Sequence, residues 1–114
     1  MPQLAEQRCE ACDVGAPQLT ASELDRLKPE IPKWEMVTLD GEQQLRRVFS
    51  FKNFAQALIF ANQVGELAET YNHHPALLVE WGKVTVRWWT HKIGGLHRND
   101  VVMAAKTDKI KAES

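Results

Sequence analysis

Between Asn53 and Tyr71 the apolar residues Ala57, Phe60, Ala61, Val64, Leu67, Ala68 and Tyr71 recur at helical spacing, with Gln56, Gln63 and Glu66 on the opposite side. Asn53 is a natural N-cap, and Phe54 and Leu58 are expected to widen the buried stripe. Pro75 falls just beyond the last periodic residue, where a helix cannot continue. A helix with so wide an apolar face has to cover it, and the flanking segments decide with what.

Both flanks read as hairpins. In WEMVTLDGEQQLRRVFSF, Asp40-Gly41 tolerates positive φ and suits a tight turn between two strands. Val37 and Leu39, then Leu45, Val48 and Phe49, supply apolar faces, and the slip in alternation suggests a bulge. In ALLVEWGKVTVRWWTH the turn lies at Gly82-Lys83. There Val84, Val86 and Trp88 share the face expected under helices, with Thr85, Arg87, Trp89 and His91 on the other. Upstream, Thr20 or Ser22 can cap a short helix that Pro29 stops. Downstream, Gly94-Gly95 breaks the strand and NDVVMAAKTDKIKA restores helical spacing, with basic residues in its last turns. The order helix, two strands, helix, two strands, helix predicts an α+β fold: a four-stranded antiparallel sheet with helices packed on one face.

A chain of 114 residues fits one domain. Residues 1–18 read as a flexible leader and 19–114 as the domain. With 14 basic against 15 acidic side chains there is no global attraction for nucleic acid or anionic lipid. Runs such as AQALIFA fall far short of the ~20 residues that cross a bilayer, so no membrane span is expected. The first residues lack the apolar core of a secretory signal, and a cytoplasmic location is expected. Cys9 and Cys12 have a C-x-x-C spacing, but in a polar tail and without a His pair roughly 12 to 15 residues later. They are expected to be two thiols and not a zinc or redox centre.

His73, His74 and His91 are the remaining puzzle. His74 lies eight residues before Gly82 and His91 nine after it, so the hairpin should return the third histidine to the level of the first two. Adjacent side chains on extended backbone diverge, which suits proton transfer better than a shared metal. Imidazoles ordinarily change charge near neutral pH, so one can give a proton while another takes one. Glu69, about one helical turn before His73, could orient an imidazole. Asp100, at the start of the last helix, could cap it or hydrogen-bond a substrate.

ETYNHHP from Glu69, followed by Trp81, His91 and Asp100 at their spacings, resembles the signature of the pterin-4a-carbinolamine dehydratases. FKNF at 51–54, THKIGGL at 90–96 and Trp34 before the first strand extend the likeness over about Leu19 to Ala112. The resemblance implies a lyase that dehydrates 4a-hydroxytetrahydropterin to quinonoid dihydropterin, in recycling the cofactor of an aromatic amino acid hydroxylase. It implies no metal or organic cofactor. The family's catalytic histidines fall on His73, His74 and His91, and its pterin contacts on Asn72 to His74 and on Trp89, Thr90 and Lys92. Glu69 and Asp100 belong to the same signature, and Trp34 and Trp89 offer surfaces for a flat bicyclic ring. Asn72 stands where an aspartate is frequent, and His97 where a threonine often caps the last helix. The resemblance also implies a homodimer or homotetramer, and it admits an alternative role as a protein-binding module for a transcription factor or hydroxylase.

Overall fold

The computed structural model describes residues 20–90 and 95–113; the leader with Cys9 and Cys12, and likewise His91 and Lys92, lie outside the described residues. Helix α1 (Ala21–Leu27) opens on a reciprocal capping box. The Thr20 side chain accepts the Glu23 N–H while Glu23 accepts the Thr20 N–H, both at 3.1 Å. These bonds hold the Glu23 carboxyl below its ordinary value. Pro29 lies in the 3₁₀ turn Lys28–Glu30, which leads the chain towards the sheet.

Strands β1 (Glu35–Leu39), β2 (Glu42–Ser50), β3 (Ala76–Glu80) and β4 (Lys83–Trp88) form one antiparallel sheet in the order β1-β2-β4-β3. The first turn holds Asp40 at φ 52° and Gly41 at φ 79°, the left-handed pair that matches strand twist in a two-residue hairpin. At Gly82, φ is 74°, a backbone angle that favours glycine, and an added Cβ would lie tightly, 3.3 Å, against the Phe51 carbonyl oxygen. The pairing of β2 with β4 is continuous from Leu45↔Trp88 to Ser50↔Lys83. The expected bulge is therefore absent. Val48 instead points to the uncovered face, where it is 42% exposed, and Leu39 is similarly placed.

Helix α2 (Phe54–Tyr71), capped by Asn53, and helix α3 (Arg98–Glu113) cover the other face. Ala57, Phe60, Ala61, Val64 and Ala68 are buried against Leu45, Phe49, Val84, Val86 and Trp88. Phe60 meets Phe49 and Phe51 at centroid distances of 4.7 and 5.1 Å. Rings of this size gain roughly 1.5–3 kcal/mol each on burial. Phe54 and Leu58 stay nearly half exposed, a correction to the expected stripe: they sit at its margin, beyond the reach of one underlying sheet. Asn99 to Ala105 are all buried, so α3 enters the core just after its exposed first residue, Arg98. Farther along it, Asp108 accepts from Trp34 Nε1 at 2.8 Å and Arg47 Nη1 at 2.5 Å, tying the start of β1 to β2 and α3. Burial pushes the Asp108 carboxyl above its ordinary value, and those two donors pull against that shift. No helix among the described residues is long and apolar enough to cross a membrane.

Candidate active site

The end of α2 positions the histidine pair. Asn72 adopts the left-handed conformation, φ 51°, and its N–H bonds back to the Ala68 and Glu69 carbonyls. The His73 N–H bonds to the Ala68 carbonyl at 3.1 Å. Asparagine is among the few non-glycine residues that visit this region routinely, so the helix stops sharply and the next residues leave extended. The two rings therefore diverge: His73 is 4% exposed, whereas His74 stays at the surface.

His73 turns inward beside the sheet. Its ring stacks on Trp88 at 5.6 Å with an interplanar angle of 13°. Its Nε2 lies 2.6 Å from Asp100 Oδ1. Asp100, fully buried in the first turn of α3, accepts at its other oxygen from Thr90 Oγ1 and from the His97 backbone N–H, each at 2.8 Å. Three elements thus meet on one carboxylate: the α2–β3 junction, the end of β4 and the start of α3. The register explains the meeting. Ala76 pairs with Arg87, so the residues just before one and just after the other emerge side by side at the open end of the hairpin. The bond between Thr90 N–H and the Gly95 carbonyl, 2.9 Å, fixes the chain on either side of His91 and Lys92.

A carboxylate in contact with Nε2 sets the tautomer, since an ionised acid can only accept. The proton then resides on Nε2, and Nδ1 lies on the ring's other edge with the lone pair. Such a ring can take a proton at Nδ1 and return it, and Asp100 gives the imidazolium so formed an immediate partner. His74 has the same arrangement at the surface, with Nε2 2.5 Å from Glu69 Oε2. Glu69 was expected to orient an imidazole from about one helical turn before His73. The left-handed Asn72 turns the chain at the helix end, and the imidazole that Glu69 reaches is His74.

The other expected site residues fall in different surroundings. Trp89 is buried, with the Arg87 guanidinium carbon 5.5 Å from its ring centroid. Trp34 packs edge-on against Phe49 in the core and bonds to Asp108. Trp81, part of the signature, is 74% exposed at the β3–β4 turn. An open groove of about 880 Å³ between α2 and β3 is lined by Leu58, Gly65, Glu69 and Leu77 among others; it reaches Glu69 but not His73. Among the described residues no three His, Cys, Asp or Glu side chains gather as a metal site requires. The local pattern did not reveal that Asp100 backs His73, because the two are 27 residues apart. Trp88, read as core, is also the surface on which His73 rests.

The chain is similar to known proteins along most of its length. The sequence pattern of the pterin 4 alpha carbinolamine dehydratase family matches residues 17–110. A protein of Marinobacter nauticus, provisionally named pterin-4-alpha-carbinolamine dehydratase, is 57% identical over 110 residues, spanning 96% of this chain and 99% of its own. One from Syntrophotalea carbinolica with the same provisional name is 58% identical, spanning 96% and 98%. Among solved structures, a transcriptional coactivator/pterin dehydratase from Brucella melitensis is similar at TM-score 0.73 and 32% identity, over 82% of this chain and 98% of its own. A pterin dehydratase-like protein described as a RuBisCO assembly factor in the alpha-carboxysome shares the fold at TM-score 0.59 and 20% identity, over 72% and 93%. The fold, the paired histidines and the extent of these matches lead to one conclusion: the chain belongs to the pterin 4 alpha carbinolamine dehydratase family.

Proposed function

We propose that this protein removes water from 4a-hydroxytetrahydropterin, giving quinonoid dihydropterin, in the recycling of the tetrahydropterin used by an aromatic amino acid hydroxylase. The observation that carries the reading is the buried pair of His73 and Asp100 at the open end of the second hairpin. In the reaction the C4a–O bond breaks. The hydroxyl leaves with an added proton as water, and N5 gives up its proton as the C4a–N5 double bond forms. One acid and one base suffice, and each positioned group typically contributes ~10² to 10⁴-fold.

His73, backed by Asp100, exchanges a proton through Nδ1, and His91 serves as its counterpart across the substrate. His74, oriented by Glu69, holds or polarises the pterin. Asn72, Thr90 and Lys92 are the further proposed pterin contacts, and Trp89 is the aromatic candidate. Stopped-flow measurement of the decay of 4a-hydroxytetrahydropterin tests the reading: the protein accelerates loss of water well beyond the spontaneous rate, and no acceleration rejects it. In the same assay Glu69→Gln lowers kcat/KM by about fivefold or less, because an exposed histidine–carboxylate contact is worth about 1 kcal/mol at most.

A second role rests on the sheet edge. Strand β3 is an edge strand whose central Leu78 is 57% exposed. Such an edge can pair with another strand, which supports assembly into a homodimer or homotetramer. A protein-binding role is the alternative use of that edge, in keeping with the coactivator part of the Brucella protein's description.

A further inference from the structure

We propose that Thr107 on α3 is a positioning residue: through Trp88 it sets the plane of the His73 ring and hence the direction in which Nδ1 points. This rests on the reading of His73 as a reacting group. A contact along one edge of an imidazole places a nitrogen but does not by itself set the plane of the ring. For His73 the edge contact is Nε2 to Asp100 Oδ1, at 2.6 Å. The face contact is the Trp88 indole, at a centroid distance of 5.6 Å and an interplanar angle of 13°. Two flat rings stacked in this way share one plane direction, so a tilt of the indole is passed to the imidazole.

The indole has in turn to be held. Trp88 ends β4, and its pairing with Leu45 of β2 anchors its backbone. Its side chain carries one polar hydrogen, on Nε1, and that hydrogen goes to Thr107 Oγ1 at 3.1 Å. The Thr107 hydroxyl donates to the Met103 carbonyl, one turn earlier in α3, at 2.7 Å. That back-bond selects one threonine rotamer and commits the hydroxyl hydrogen, which leaves a lone pair for the indole. Trp88 and Thr107 are both 0% exposed, so solvent does not compete for either group. Valine has nearly the shape of threonine and would fill the same space; what threonine adds at this position is the acceptor. Thr107 follows Asp100 by seven residues, about two turns, which puts both on one face of α3. One helix therefore governs His73 twice, at the edge through Asp100 and at the face through Thr107 and Trp88.

The test compares the full-length protein with Thr107→Val and Thr107→Ser at a single pH. In the unaltered protein the Trp88 indole N–H should exchange slowly with water, and the His73 ring protons should resonate upfield under the shielding of a stacked indole. A fast-exchanging indole or unshielded His73 protons overturn the proposal without recourse to any variant. In Thr107→Val the His73 ring-proton signals should move, and kcat for pterin dehydration should fall about tenfold with KM held within about twofold, since a misplaced reacting group slows the chemical step and Thr107 makes no contact with substrate. Thr107→Ser restores the acceptor and should return the signals to their original positions and kcat to within about twofold. Unmoved signals in Thr107→Val, or serine as slow as valine, overturn the role of the hydroxyl. Signals that move while kcat stays constant overturn the link between ring plane and reaction. If the unaltered protein does not dehydrate the pterin, the function proposed above fails, and the indole exchange and His73 signals still decide whether Thr107 holds the ring.

Discussion

Replacing His73 by alanine lowers kcat/KM for pterin dehydration by roughly 10² to 10⁴-fold, the usual contribution of a single positioned acid or base. The variant also removes a ring stacked on Trp88, so His73→Gln, which keeps more of the volume, separates chemistry from packing. Both should lose activity, and only the alanine variant should lose appreciable thermal stability. The measurement pairs stopped-flow kinetics with a melting curve. Activity retained in both variants would remove His73 from the mechanism.

Asp100→Asn has the second largest effect, and for a different reason. The asparagine side chain has one accepting oxygen where aspartate has two, yet His73, Thr90 and His97 all approach this position. If the amide oxygen serves Thr90 and His97, the NH₂ group faces His73 and requires an unprotonated Nε2 there. The proton moves to Nδ1, and the ring presents a donor where it presented a lone pair. Loss of about 10²-fold or more in kcat is expected, with a smaller change in KM and with the ¹⁵N spectrum of His73 switched in tautomer. Asp100→Ala removes the acceptor that His73, Thr90 and the His97 N–H share. It should cost about 1 to 3 kcal/mol for each buried donor that loses this acceptor. A variant that keeps the wild-type tautomer but loses activity would assign Asp100 some other task.

The parts of this fold that the sequence made legible are those with local causes. The period of α2 from Ala57 to Tyr71, the left-handed turn at Asp40-Gly41 and the alternation Val84, Val86, Trp88 each follow from a few neighbouring residues. The misreadings share a physical reason as well. Val48 was counted as apolar surface needing a bulge, but period-two geometry sends it to the uncovered face as Phe49 goes to the core. Phe54 and Leu58 match the helical period yet lie beyond the sheet that could cover them. At the site, spacing alone brought His73 and His74 to the open end of the hairpin and foresaw that their rings would diverge. It did not foresee the partners. Asp100 reaches His73 because α3 begins beneath the end of β4, and Glu69 reaches His74 because the left-handed Asn72 turns the chain at the helix end. Trp34 bonds to Asp108 across 74 residues of sequence, a contact that no local pattern announces.

The central claim is that a pterin occupies the open end of the second hairpin, against His73. A titration of the ¹⁵N-labelled protein with a stable 7,8-dihydropterin tests it most directly. The expected result is saturable shifts centred on His73, His74 and Thr90, with the His73 ring signals moving in step. Shifts confined to the groove between α2 and β3, around Leu58, Gly65 and Leu77, with His73 and Thr90 unmoved, would contradict it.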